Sequence, residues 1–376
     1  MEYYFIFWLF LLILSTLGID RNLNGVSCFS ILILVIFFVG ARPVTLGTDT
    51  AEYYQIFYEY DSIFGGLEYL VSLLILSLNF FNFGAGLFIF FVSCLFIGPI
   101  SYVLIKQYKY SFFLLLIFSS LVFWLFAINV IRQGVALSFV VLAMYYISIN
   151  DGNRNYKFYL ASLFSIGFHV SAIFPIFMLF IASNRKIREI LIGAFPILFV
   201  LTIGIVFFGF DVLAVMHSII TFSSPYLPER LVVKFYQYYS DINSEELKLG
   251  FSYLISFLVV ALSFYRLRTD RYKNYNRVSK SQICALDKLD INKIFFELSL
   301  FMSMIFVLLF PVFYKFAVFS RVLSYFDFFS IFLVCHLICF NFSRKVSWLI
   351  VVVLSSVFFT KLVLTGYQYG FLTDRF

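Results

Sequence analysis

From Ser111 to Ile149 the only charged side chain is Arg132, and runs of the same kind recur along the chain. A helix needs about 20 apolar residues to cross a hydrocarbon core, and inside that core every backbone N–H and C=O must find its partner within the protein. Long uncharged runs therefore have one stable solution, a bundle of membrane helices. Composition agrees: 62% of the residues are hydrophobic and 12% charged, where soluble domains carry about 25% charged residues. The expected fold is an all-α polytopic membrane protein, a single integral membrane domain over residues 1–376 with re-entrant or interfacial segments and two long outer loops. Eleven runs read as spans, at residues 3–18, 26–41, 84–105, 111–128, 130–149, 158–182, 190–209, 251–265, 294–314, 322–340 and 346–362. The apolar run at 67–78 is too short to cross. Residues 1–18 carry Glu2 in place of a basic leader and lack a small-residue cleavage site, so they are expected to remain as a span.

The charges are sorted. Between residues 266 and 293 stand eight basic residues against three aspartates, which marks a cytoplasmic loop and accounts for most of the formal charge of +7. Lys106 with Lys109, Arg154 with Lys157, Arg185 with Lys186 and Arg188, and Arg344 with Lys345 belong on the same side. The opposite side then receives the loops 42–65, with four acids and one base, and 210–249, with five acids and three bases. One run breaks the parity. Arg154 and Lys157 precede the run 158–182 and Arg185, Lys186 and Arg188 follow it, so a simple crossing would strand one cluster outside. Gly167, His169, Ser171 and Pro175 near its middle suit a broken helix pair, and the expectation is a hairpin with His169 near its tip.

Several function classes drop out. The basic excess sits in one connecting loop and not as a stripe on a folded surface, which argues against nucleic acid as a partner. The five cysteines form no CxxC pair, and Cys335, His336 and Cys339 lie in a run of Phe, Leu and Ile, where core packing is expected. HExxH, Walker, GxGxxG, GxSxG and DxD-like patterns are missing from the sequence. An ATP-driven pump or a nucleotide-sugar enzyme is therefore not expected, and neither is a cofactor or metal. The abundance of Phe, 55 residues, fits either an AT-rich genome or aromatic surface around a sugar-binding cavity.

The polar residues that remain at membrane depth are costly there and form the functional shortlist. Arg42 is followed by Gly47-Thr48-Asp49, a turn and helix cap that puts Asp49 and Tyr53 on one helical face. The same pattern also fits an interfacial helix with Arg42 snorkelling. Asn129, Arg132 and Gln133 stand at an outer turn, where topology gives an arginine no role. His169 is either a satisfied core histidine or a group at the tip of the broken segment. Arg321 and Tyr325 fall at an outer helix end. The second outer loop adds Arg230 and Lys234 beside the tract from Phe235 to Tyr239, a composition that suits contact with sugar rings and anions or an interfacial belt. Outward arginines with few carboxylates suggest a phosphorylated lipid as ligand, because guanidinium binds phosphate bidentately and stays charged when desolvated.

At these residues the chain resembles the EpsG-like branch of the Wzy-type polysaccharide polymerases. The resemblance rests on Arg42 with Gly47-Thr48-Asp49 and Tyr53, a Glu68-containing amphipathic segment, Asn129 with Arg132 and Gln133, the Phe168-His169-x-Ser171-Ala172 element, and Arg321 with Tyr325-Phe326. Glu68 departs from the pattern in lacking a following Pro-Gly, and it is not carried into the site. The resemblance implies a multi-pass protein of the bacterial cytoplasmic (inner) membrane. Such a protein transfers a growing undecaprenyl-pyrophosphate-linked glycan onto a lipid-linked repeat unit at the outer face, with a chain-length regulator as a further partner. On that reading Arg132 and Arg321 clamp pyrophosphate, Arg42 or Arg230 guides the second lipid, Gln133 and Tyr325 contact substrate, and Asp49 or His169 is the base. Rival readings are an O-antigen ligase, a lipid-linked oligosaccharide flippase and a membrane O-acyltransferase; a flippase would want charges in both halves and a repeat between them.

Overall fold

Helices form along the apolar runs, and in the computed structural model every described element is helical. The structure describes residues 2–59, 68–208, 212–223, 225, 236, 251–269, 293–313 and 317–366. Most of the basic loop 266–293, most of the loop 210–249 and the end of the loop 42–65 lie outside the described residues. In chain order the helices are α1 (Glu2–Leu17), α2 (Asn24–Gly40), α3 (Thr48–Tyr58), α4 (Tyr69–Phe80), α5 (Ala85–Tyr108), α6 (Phe113–Phe118) and α7 (Leu121–Trp124). A π turn (Leu125–Asn129) leads to α8 (Ile131–Ser148) and α9 (Tyr156–Phe168), and a 3-10 turn (Val170–Ala172) to α10 (Ile173–Ser183). Then follow α11 (Arg185–Phe207), α12 (Val212–Ser223), α13 (Phe251–Arg268), α14 (Lys293–Phe313), α15 (Ala317–Asn341) and α16 (Arg344–Gly366).

Among the described residues six helices are long and apolar enough to cross a membrane: α5, α8, α11, α14, α15 and α16. The eleven expected crossings are not established. α1, α2 and α4 are shorter, and the run 158–182 does not form one rod. It breaks at His169 and folds back, so that the two flanks lie together: the Arg154 guanidinium sits 3.8 Å over the Phe180 ring, and a Cβ on Gly152 would meet the Ser183 carbonyl at 3.4 Å. The 13 residues of α9 rise about 20 Å, short of the ~30 Å hydrocarbon thickness. This return solves the parity of the basic clusters.

The run 111–128, expected as one span, is also broken. Its pieces α6, α7 and the π turn lie in the middle of the bundle, with Phe112 through Phe118 almost without exposure. Backbone freed at the break is satisfied locally. Ser120 Oγ accepts from the Phe123 N–H at 3.2 Å and donates to the Ile117 carbonyl at 2.7 Å, and the Trp124 indole donates to the Phe118 carbonyl at 2.9 Å. In an apolar interior each unpaired group would cost several kcal/mol, so the break persists only because these groups are present.

One end of the bundle is tied by polar and cationic side chains. Asn24 bridges the Lys109 carbonyl and the Ser111 N–H, each at 2.9 Å, Arg344 donates to the Gly18 carbonyl at 2.7 Å, and Arg266 bonds Asn341. At the same end Arg188 is buried against Glu297 at 3.0 Å and also donates to the Ala182 carbonyl at 2.7 Å, which fastens the foot of the hairpin to α14. Lys293 stands 3.7 Å from the second oxygen of Glu297. Cys335 and Cys339 are buried, and His336 stacks on Phe296 at 4.0 Å, a packing arrangement as expected.

Two outcomes follow from this architecture. Single cysteines placed at Arg154 and Lys186 should react with an impermeant thiol reagent from the same side of the membrane, and labelling from opposite sides would exclude the hairpin. Glu297→Ala should lower thermal stability in detergent by about 3–5 kcal/mol, the cost of a buried guanidinium without its carboxylate.

Candidate functional site

At the end opposite the tied basic one, five parts of the chain bring polar side chains together. Their approach begins with Gly47. At φ +82° it takes a conformation that L side chains rarely adopt, and a Cβ there would lie 2.0 Å from Ile128 Cγ2. Only glycine lets the start of α3 close onto the π turn. Arg42 then ties together the three chain segments of this corner: its Nε donates to Thr50 Oγ1 at 2.9 Å, and Nη1 donates to the carbonyls of Val39 at 3.1 Å and Ala127 at 2.8 Å.

With α3 so placed, Tyr53 lies with its ring centroid 5.6 Å from the Arg132 guanidinium, a cation–π distance. Arg132 Nη1 meets Glu68 Oε2 at 2.5 Å. The other carboxylate oxygen stands 3.7 Å from His169 Nε2. His169 has extended backbone, φ −158° and ψ 124°, and its Nδ1 accepts the Ser171 N–H at 3.2 Å, so the imidazole itself caps the 3-10 turn that reverses the chain. Ser171 Oγ lies 2.7 Å from Nδ1 and 3.3 Å from Tyr325 Oη. Pro175 falls in the first turn of α10, where the absent N–H is tolerated. The result is a continuous polar chain, Tyr53, Arg132, Glu68, His169, Ser171, Tyr325, drawn from α3, the entry to α4, α8, the hairpin tip and α15.

Tyr53 and Tyr325 are buried and form the floor. Arg132, His169 and Glu68 stay partly open, with side-chain exposures of 26%, 19% and 17%. Arg321, four residues before Tyr325, is exposed and acts electrostatically on His169 together with Arg132 and Glu68. Arg132 and Glu68 thus meet beside one imidazole with a second guanidinium acting on it electrostatically, a net positive surrounding that favours an anion. Among the described residues no group of three or more His, Cys, Asp and Glu is placed to hold a metal ion.

A family model for the EpsG family matches residues 25–375. The chain belongs to the EpsG family. No curated protein and no solved structure matches it. Membership and the apolar helices together make this EpsG-family chain a multi-pass membrane protein, and they support a polysaccharide-polymerase-like role in general terms.

Of the residues expected from sequence, Arg132, His169 and Tyr325 meet in the EpsG-family cluster, and Arg321 lies at its edge. Arg42 is buried beside the π turn, where its Nε and Nη1 donate to Thr50 Oγ1 and to the carbonyls of Val39 and Ala127. Gln133 is buried as well, with Oε1 unpartnered among the described residues. Asp49 belongs to the first turn of α3, but its side chain lies outside the described residues, as does Arg230. Glu68, Tyr53 and Ser171 were given no role in the site from sequence. The signals were present: Tyr53 shares a helical face with Asp49, Ser171 follows His169 by two residues, and Glu68 is an acid at the edge of an apolar segment.

Gly167 leaves room for the Leu70 side chain, two residues after Glu68, against the hairpin. A Cβ at that position would meet Leu70 Cδ1 at 2.6 Å, so Gly167→Ala should push the start of α4, and Glu68 with it, away from the hairpin tip. Activity should fall about tenfold, the scale expected for displacement of a site group by a few tenths of an ångström. The double variant Gly167→Ala with Leu70→Ala should recover most of it. Polymer yield per unit of membrane-inserted protein is the measurement; an inactive double variant would show that Leu70 is not the obstacle.

Proposed function

We propose that the chain is a polysaccharide polymerase of the bacterial cytoplasmic membrane that transfers a growing undecaprenyl-pyrophosphate-linked glycan onto a lipid-linked repeat unit at the outer face. The observation that carries this reading is the cluster in which Arg132, with Arg321 at its edge, meets Glu68 and His169 at the end away from the basic one. By the positive-inside rule the basic end is cytoplasmic and the cluster is external, where lipid-linked repeat units would be polymerised.

The chemistry asked of such a site is modest. A lipid pyrophosphate leaves with the electron pair of the C–O bond it breaks, and fixed cations where that charge develops lower the barrier. In this proposal Arg132 and Arg321 hold the departing pyrophosphate, Arg230 guides the second lipid, and Tyr325 acts from below through Ser171. The acceptor hydroxyl must surrender a proton, which calls for a base close to the same guanidinium groups. Arginine donors can stabilise this leaving group without a resident metal.

The deciding experiment is gel analysis of surface polysaccharide from a deletion strain carrying plasmid-borne variants. Deletion should leave single repeat units on the carrier or core; complete loss from the core would indicate a ligase, and failed delivery to the outer face a flippase. Arg132→Ala should reduce long chains at least about a hundredfold, the usual effect of removing one preorganised donor to a developing anion, with protein levels in the membrane unchanged. A normal ladder in that variant would refute the role of Arg132.

A further inference from the structure

We propose that Glu68 is the general base that takes the proton of the acceptor hydroxyl, and that His169 positions it. The inference rests on the polymerase reading above and deepens it. A neutral imidazole has one nitrogen that donates and one that accepts. The accepting nitrogen of His169 is Nδ1, because it receives the Ser171 N–H at 3.2 Å, and Ser171 Oγ crowds the same lone pair at 2.7 Å. Nε2 therefore carries the hydrogen, and Nε2 lies 3.7 Å from Glu68 Oε1, an electrostatic neighbour beyond direct hydrogen-bond distance. On the face it turns to the site His169 is a donor, with no lone pair for an incoming hydroxyl.

Glu68 has what His169 lacks. A carboxylate offers about four acceptor positions on two oxygens, and Arg132 and His169 occupy at most one on each oxygen. Its side chain retains 17% exposure, so a hydroxyl can reach it. Arg132 provides the link between the two halves of the reaction. Its guanidinium neutralises Glu68 in the ion pair; a pyrophosphate that competes for that guanidinium frees the carboxylate just as the donor arrives. Base and leaving-group clamp are then neighbours, made ready by one event.

The step balances. The acceptor O–H bond breaks and its proton passes to Glu68 while the acceptor oxygen bonds to the anomeric carbon of the donor glycan. The bond from that carbon to the pyrophosphate oxygen breaks, and lipid pyrophosphate leaves with the electron pair, held by Arg132 and Arg321. When it departs, Glu68 releases the proton to water and pairs with Arg132 again.

The test uses full-length protein in nanodiscs with lipid-linked repeat units extracted from the deletion strain, and undecaprenyl pyrophosphate as a separate binding probe. Glu68→Gln should lower turnover at least about a hundredfold, the contribution of a positioned base, while undecaprenyl pyrophosphate binding is kept or tightened, because the competing carboxylate charge on Arg132 is gone. Glu68→Asp should be faster than Glu68→Gln because it restores a carboxylate. His169→Gln should slow turnover yet keep the rising limb of the pH–rate profile, which Glu68→Gln removes. Turnover of Glu68→Gln above about a tenth of wild type would overturn the assignment. So would loss of probe binding in that variant, which would make Glu68 a support for Arg132 only, and so would disappearance of the pH limb in His169→Gln alone. A wild-type protein that binds the probe but extends no repeat units would instead strike at the polymerase reading itself.

Discussion

Backbone groups in an apolar interior cannot be left unpaired, and that constraint decides where this chain departs from straight helices. Each break is kept by a side chain that supplies the missing partner. Ser120 and Trp124 close the gap between α6 and α7, Arg42 takes the carbonyl of Ala127 in the π turn, and His169 caps the turn after α9 through Nδ1. The π turn and the hairpin tip are also where Arg132 and His169 are presented. A continuous α8 or an unbroken 158–182 rod would carry one or the other past the cluster.

Charge is distributed by the same economy of place. At one end arginines and lysines bind carbonyls, amides and Glu297, so the loops are closed and the hairpin foot is held. At the other end the guanidinium groups have different fates. Arg42 is consumed by structure, while Arg132 is balanced by a single carboxylate and a ring face and Arg321 is exposed. An anion can exchange with a carboxylate; it cannot easily displace two backbone carbonyls and a threonine from a buried arginine.

Much of this was legible before the structure. Uncharged runs implied membrane helices, and the parity conflict at 158–182 implied a reversal near His169, because side-of-membrane charge is a linear property of the chain. Arg132 and His169 stood out as polar exceptions that topology did not explain. Arg42 stood out by the same criterion, but its burial was not legible, since its partners Ala127 and Thr50 are neighbours only after α3 has closed on the π turn. Glu68 was set aside because no Pro-Gly follows it. Its position in the cluster comes from contacts to Arg132 and His169 far along the chain, and from the small volume of Gly167 against Leu70. The number of crossings was also beyond reach of run length, because a run of 25 apolar residues fits a rod or a hairpin equally well.

By itself the sequence determined the solvent, the helical class and the sorting of basic residues to one side, all of which follow from local composition and its period. Only the tertiary structure decided which polar exceptions share a site. The pairing of Glu68 with Arg132, the direction of the His169 nitrogens and the burial of Arg42 depend on close approaches between segments distant in the chain, and such approaches are set by backbone breaks and absent side chains that leave no periodic trace.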